Sequence, residues 1–169
     1  MSDSNLENRP WWGYLENDLR ELVQESLLLL DIFKERQKSN TDGDSFHDFS
    51  FIVFPIAKAY EGFLKKLFFD LDFITHDDYY GSRFRIGRAL NPSLDEKYKD
   101  ESVYEKLVRQ SGDKSLADKL WITWKDSRNL VFHWFPDEKR AINLTEANVK
   151  IEQVLNAIDT AFKECKMNK

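Results

Sequence analysis

Residues 48–72 read DFSFIVFPIAKAYEGFLKKLFFDLD, and the spacing of the apolar side chains in that run decides the class of fold. Phe49, Ile52, Val53, Ile56, Tyr60, Phe63, Leu64, Leu67 and Leu71 recur at steps of mostly three and four, the period of an amphipathic helix. Pro55 lies inside the pattern and predicts either a kink or a helix that begins there, because proline lacks a backbone N–H to donate. A helix this apolar has to be covered by others.

Working outward, the same period predicts three more long helices. The first spans Trp11 to Lys38 through Leu15, Leu19, Leu22, Leu29 and Phe33, and the polar run Ser39-Asn40-Thr41-Asp42-Gly43-Asp44-Ser45 ends it. Another covers Ser115 to Phe132 through Leu116, Leu120, Trp121, Trp124 and Val131, with Pro136 closing it. The last runs from Thr145, a good N-cap residue, to Lys166 through Val149, Ile151, Leu155, Ile158 and Phe162. Between Thr75 and Asp113 the sequence predicts a polar turn at His76-Asp77-Asp78, an arginine-rich run, a breaker at Asn91-Pro92 and a short helix over Ser102–Arg109. With six Gly and four Pro in 169 residues, the chain has little material for the tight turns of a sandwich or barrel. The expected architecture is all-α: a bundle of four main helices plus short extra helices, in a single domain over 1–169. Its acidic N-terminal helix and loop occupy 1–45, and its core occupies 46–166.

Hydrophobic residues at 41% and charged residues at 33% belong to a globular chain and not a disordered one. The formal net charge of −5 excludes a polybasic nucleic-acid binder. That charge is uneven: residues 1–50 carry 11 acidic and 5 basic side chains, the remainder 19 and 20. The later part can therefore face a phosphate backbone without a large repulsive field. A single cysteine, Cys165, excludes an internal disulfide framework and a cysteine-based zinc site. The start MSDSNLENRPWW is acidic and polar where a secretion signal is basic and then apolar. Pro55 and Lys58 break the longest apolar stretch well short of the roughly 20 residues a membrane helix needs. The expectation is a cytoplasmic protein without a membrane partner.

Chemistry concentrates in Ser127-Arg128-Asn129-Leu130-Val131-Phe132-His133-Trp134-Phe135-Pro136. A guanidinium holds two phosphate oxygens and stays charged; an imidazole accepts or returns a proton near neutrality. Five residues separate Arg128 from His133, about 140° on an ideal helix. The two side chains converge only where the helix end unwinds or a second subunit supplies one of them. Glu61 shares a stripe with Ala57, Leu64 and Phe68, an inward position for a carboxylate, and Arg128 is the candidate partner. Trp134 and Phe135 are aromatics beside the motif, suited to an interface or to the core.

Arg-Asn-x-x-x-His at the end of a late helix resembles the signature of the HEPN superfamily, helical domains whose arginine–histidine motif cleaves RNA without metal. The segment Phe54-Pro55-Ile56-Ala57-Lys58-Ala59-Tyr60-Glu61-Gly62-Phe63-Leu64-Lys65-Lys66 is similar to the glutamate-bearing helix of the HEPN domains of RnlA/LsoA-type toxins. The resemblance runs from about Ser50 to Phe162. It implies Arg128, His133 and Glu61 as catalytic residues, with no cofactor. It also implies an RNA substrate, a homodimer with a composite cleft, and an antitoxin or defence-complex partner. Asn129 would position a phosphate or ribose. The basic side chains Lys65, Arg83, Arg85 and Arg88, with Tyr79 and Tyr80 as stacking surfaces, are candidates to grip the RNA backbone. Phe135 stands where many members carry a tyrosine two residues after the histidine, so silencing by modification of that hydroxyl is not expected. The chain also lacks the extra N-terminal domains of the RnlA-type toxins, so recognition supplied by those domains is expected from elsewhere.

Two other readings remain open. His47, His76-Asp77 and a later Asp113, Asp118 or Asp126 echo the order of metal-dependent HD phosphohydrolases, in which two His and two Asp hold a cation that activates water. A non-catalytic module of the same fold, binding RNA or a protein, is the other. There is no Gly-rich phosphate loop to carry nucleotide-driven chemistry.

Overall fold

The structure, a computed structural model, describes residues 6–39, 46–133, 136 and 141–166. A 3₁₀ turn at Trp12–Tyr14 leads into α1 (Asn17–Lys38), α2 (Ser50–Asp70), α3 (His76–Tyr80) and α4 (Ile86–Ala89). A 3₁₀ stretch at Glu96–Glu101, α5 (Val103–Ser111), α6 (Ser115–Trp124), a π-turn at Lys125–Asn129 and α7 (Leu144–Lys166) complete the order. Among the described residues there is no strand. The fold is an all-α bundle.

Side-chain partners give the directions of the helices. Leu19 lies against Gly62, Ser26 donates its hydroxyl to the carbonyl of Ile52, and the Phe33 ring meets Phe49, so α1 and α2 are antiparallel. The Tyr60 hydroxyl donates to the carbonyl of Leu120, Arg128 reaches Glu61, and Phe54 meets Phe132, which sets α6 antiparallel to α2. Lys119 donates to Thr160 and Ser127 to Gln153, so α7 returns antiparallel to α6. The four long helices thus alternate up and down. The core lies between α2 and its neighbours, where Ile52, Ile56, Tyr60, Phe63, Leu64, Leu67 and Phe68 are fully buried with Leu120, Ile151 and Ile158.

Local chemistry explains where the elements differ from the periodicity. The first helix does not begin at Trp11, because Leu15 is extended (φ −70°, ψ 143°) and separates the 3₁₀ turn from α1. Trp11 is fully buried, its indole N–H donates to Asp159 on α7, and Arg9 pairs with the same carboxylate, which lays this segment across the end of the bundle. α2 starts at Ser50 and runs through Pro55, so Pro55 is not its first residue. Asp48 accepts from the N–H of Ser50 at 3.0 Å and of Ile142 at 3.2 Å, anchoring that start to the segment before α7.

His76-Asp77-Asp78, expected as a polar turn, forms the first residues of the short helix α3. Thr75 caps it, accepting from the N–H of Asp78 while the Asp78 carboxylate returns the bond. Ser102 caps α5, which ends at Gly112 with φ 83°, a left-handed conformation suited to glycine. The N-cap of the last helix is Asn143 and not Thr145. Asn143 Oδ1 accepts from the N–H of Glu146 at 2.9 Å, and Glu146 accepts from the N–H of Asn143 at 2.8 Å. In the Leu27–Leu30 run, Leu27 and Leu30 enter the core while Leu28 faces outward.

Buried phenols give the fold an alkaline limit. Burial raises the Tyr60 hydroxyl well above its ordinary value. Burial, with the Asp118 carboxylate accepting at 2.6 Å, pushes Tyr104 up to about 12. Burial and Asp70 raise Tyr14 too. Unfolded tyrosines ionise near 10, so the folded chain keeps protons that the unfolded chain gives up. Stability is therefore full below about pH 10 and falls above it. Urea midpoints measured from pH 8 to 11 should decline beyond about pH 10, less steeply in Tyr104→Phe; a flat profile contradicts this account.

Candidate active site

The expected third helix, Ser115–Phe132, is regular only as far as Trp124. From Lys125 to Asn129 the backbone widens into a π-turn, closed by the N–H of Leu130 donating to the carbonyl of Lys125 at 2.9 Å. Such a turn holds one residue more than the α-helical ring, so it changes the direction of every side chain beyond it. The helix end departs from the α form within the very motif that needed it to.

Arg128 sits in that turn. Its Nη2 reaches Glu61 Oε2 at 3.4 Å, and its guanidinium lies 5.2 Å from the centre of the Trp124 ring, one helical turn earlier. Glu61 is half-exposed, not inward as its stripe predicted: Ala57, Leu64 and Phe68 on that stripe are buried, while the carboxylate emerges at its edge. Phe54, Ala57, Lys58, Glu61, Arg128 and Phe132 enclose a cleft of about 250 Å³. Its apolar walls and ion pair suit an anion that displaces the carboxylate or binds beside it. With both partners near two-fifths exposed, the pair contributes at most about 1 kcal/mol to stability.

Asn129 and His133 form the second half of the arrangement. Asn129 Oδ1 lies 3.1 Å from His133 Nε2. The ring is exposed, directly after Phe132 in the cleft wall. Adjacent residues of the π-turn thus hold two pairs, Arg128 with Glu61 and Asn129 with His133. His133 does not line the cleft that holds the ion pair. Trp134 and Phe135 lie outside the described residues.

The remaining predicted residues gather elsewhere. Lys65 donates to the carbonyl of Gly81 at 3.2 Å. Arg83, Arg85 and Arg88 line a separate hollow with Asp78, Asp100, Glu101 and Lys106. Arg88 pairs there with Glu101 at 3.0 Å and lies over the Tyr98 ring. Arg85 donates to the carbonyl of Ser82 at 2.6 Å. The two regions meet at Trp124. A Cβ at Gly87 would stand 2.7 Å from its indole nitrogen, so only glycine lets α4 approach this closely. The HD order is not assembled: among the described residues no three His, Cys, Asp or Glu side chains come together to hold a metal. His47 is exposed, and so is His76, beside Asp77 at 3.8 Å.

Lys58, Phe132 and Trp124 escaped the sequence reading of the site. Trp124 stands four residues before Arg128 and Lys58 three before Glu61, spacings that put each pair on one helical face. Those spacings were the available signal. Among the described residues no helix is long and apolar enough to cross a membrane. No protein-family model matches the chain, and neither a curated protein nor a solved structure does.

The ion pair and its aromatic support should respond differently to substitution. Glu61→Gln should lower stability by less than about 1 kcal/mol, as for other exposed pairs. Trp124→Ala should cost about 3–5 kcal/mol, because it empties a packed site. Urea melts of the two variants beside the parent measure both values.

Proposed function

We propose that this chain is a metal-independent endoribonuclease of the HEPN type, a toxin or antiviral effector acting in the cytoplasm. The observation that carries the reading is the π-turn at Lys125–Asn129. It holds Arg128 against Glu61 in an open cleft, while Asn129 holds an exposed His133 just beyond it. The ribose 2′-hydroxyl attacks the adjacent phosphorus and the P–O5′ bond breaks, leaving a 2′,3′-cyclic phosphate and a 5′-hydroxyl. His133 takes the proton from the attacking hydroxyl or returns one to the leaving oxygen. Arg128 neutralises the charge that builds on the phosphoryl oxygens. Glu61 orients the guanidinium, and Asn129 orients the imidazole or a ribose.

A homodimer completes the site in this reading. Phe46, Phe51 and Phe54 are exposed, and Phe54 belongs to the cleft wall. A second copy meeting the first along this aromatic edge brings two His133 rings to one RNA strand, one as base and one as acid. An antitoxin or defence-complex partner restrains the activity. One observation favours a second reading, a non-catalytic module that binds RNA or protein: within one chain His133 stands outside the cleft that Arg128 and Glu61 line.

Incubation of a mixed RNA pool with excess EDTA tests the choice. The parent chain should cut it to cyclic-phosphate ends, and His133→Ala or Arg128→Ala should slow cutting by about 10²–10⁴-fold. A folded, dimeric parent chain that leaves the pool intact selects the binding module.

A further inference from the structure

The exposed face of α2 continues past the cleft. Phe54, Lys58, Glu61, Lys65 and Phe69 follow one another at steps of four, three, four and four, so they share one side of the helix. Glu61 and Phe69 are about 12 Å apart along it. At the far end stands a cluster of rings whose inner members, Phe69 and Tyr79, pack against the core while Tyr80 and His76 lie outside it. Phe69 stacks on Tyr79 at 4.7 Å and 20°, Tyr79 meets Tyr80 edge-on at 4.8 Å, and His76 lies over Tyr80 at 4.3 Å. Phe69 and Tyr79 are half-buried and form the base. Tyr80, 69% exposed, presents its ring to solvent with His76.

This cluster is built to stay in place. The Thr75–Asp78 capping box fixes the turn, Lys65 donates to Gly81 just after it, and the Tyr79 hydroxyl donates to Glu16 at 3.3 Å. Cations border it: the Lys65 ammonium lies 5.9 Å from the Tyr79 ring, and exposed Arg83 and Arg85 follow Tyr80 in the chain. The nearby carboxylates Asp70 and Asp78 are engaged, one with Tyr14 and Lys66, the other in the cap; Asp77 stands beside His76. Exposed rings on a rigid support, flanked by positive charge and reached along one face of α2 from the Glu61–Arg128 cleft, match a single strand whose bases are unstacked.

We infer that Tyr80 and His76 form a base-stacking platform for single-stranded RNA, a few nucleotides along α2 from the Glu61–Arg128 cleft. This rests on the ribonuclease reading for its ligand but not for its test, since binding is read without cleavage. The strand runs from the cleft past Lys65, with a base laid on Tyr80 and the phosphates turned toward Lys65 and Arg83.

The test is fluorescence anisotropy of a labelled 2′-O-methyl oligoadenylate 12-mer, which lacks the attacking hydroxyl, with the full chain in EDTA. Tyr80→Ala should weaken binding at least about tenfold and Tyr80→Trp should restore it, as expected for stacking on an aromatic face. Binding of the same strand in duplex form should not respond to Tyr80→Ala. The platform is overturned by a parent chain with no affinity for the strand, by Tyr80→Ala and His76→Ala binding like the parent, or by failure of Tyr80→Trp to restore affinity. RNA cleavage that persists with a Tyr80-independent affinity leaves the nuclease standing and removes the platform. Tyr80-dependent binding without any cleavage keeps the platform and removes the nuclease.

Discussion

α2 presents apolar side chains over most of its circumference, and the arrangement of the chain follows from covering them. Leu64, Phe68 and Tyr60 cannot all face one neighbour, so α1, α7 and the π-turn after α6 close around the helix from different sides, with the Tyr60 hydroxyl reaching the carbonyl of Leu120 on α6. Burying each large side chain contributes about 1.5–3 kcal/mol, which outweighs the cost of running the helix through Pro55. One strip of α2 escapes enclosure, and that strip carries Phe54, Lys58, Glu61 and Lys65. The surface left open by core packing is the surface that carries charge.

The second constraint is the end of α6. A regular helix continuing from Trp124 would set Arg128 and His133 on different faces. The π-turn ends that regularity while Ser127, fully buried, keeps the backbone pinned to Gln153 on α7. Lys150 on α7 also donates to the carbonyl of Asp126 at 2.8 Å, which stabilises a turn whose carbonyls lack their usual partners. Held from α7 on one side and by Glu61 from α2 on the other, the motif segment is positioned by two helices distant in sequence. Trp124 links this segment to α4, so the arginine-bearing stretch and the cleft share one support.

Where reasoning from residues and the structure part, the cause is a contact that periodicity does not encode. Trp11 continues the helical period of α1, yet its indole N–H and Arg9 both find Asp159, some 150 positions away, and the segment turns aside. Thr145 is a good capping residue by type, but Asn143 has Glu146 three positions on, and the reciprocal bond decides. Glu61 falls on a buried stripe by spacing alone. Only the fold, in which Arg128 approaches from the π-turn after α6, shows that the stripe ends at the surface there. The His76-Asp77-Asp78 turn is helical because Thr75 stands three residues before the Asp78 carboxylate, a capping pattern that the sequence carries.

The amino-acid sequence by itself determined the all-α class and the approximate course of the long helices, because hydrophobic period is a local property of residue type. It offered Arg128 only as a candidate partner for Glu61, and the fold brought the two together at the surface. It also marked Arg128 and His133 as candidates, on residue type and on a resemblance, for the chemistry proposed above. Tertiary structure alone decided that the third long helix would widen at Lys125, that Asn129 would hold His133, and that Tyr80 and His76 would stand exposed along α2 from the cleft. Those outcomes depend on which backbone groups α7 and α2 satisfy across the bundle, and hydrogen bonds between distant segments leave no periodic trace in the chain.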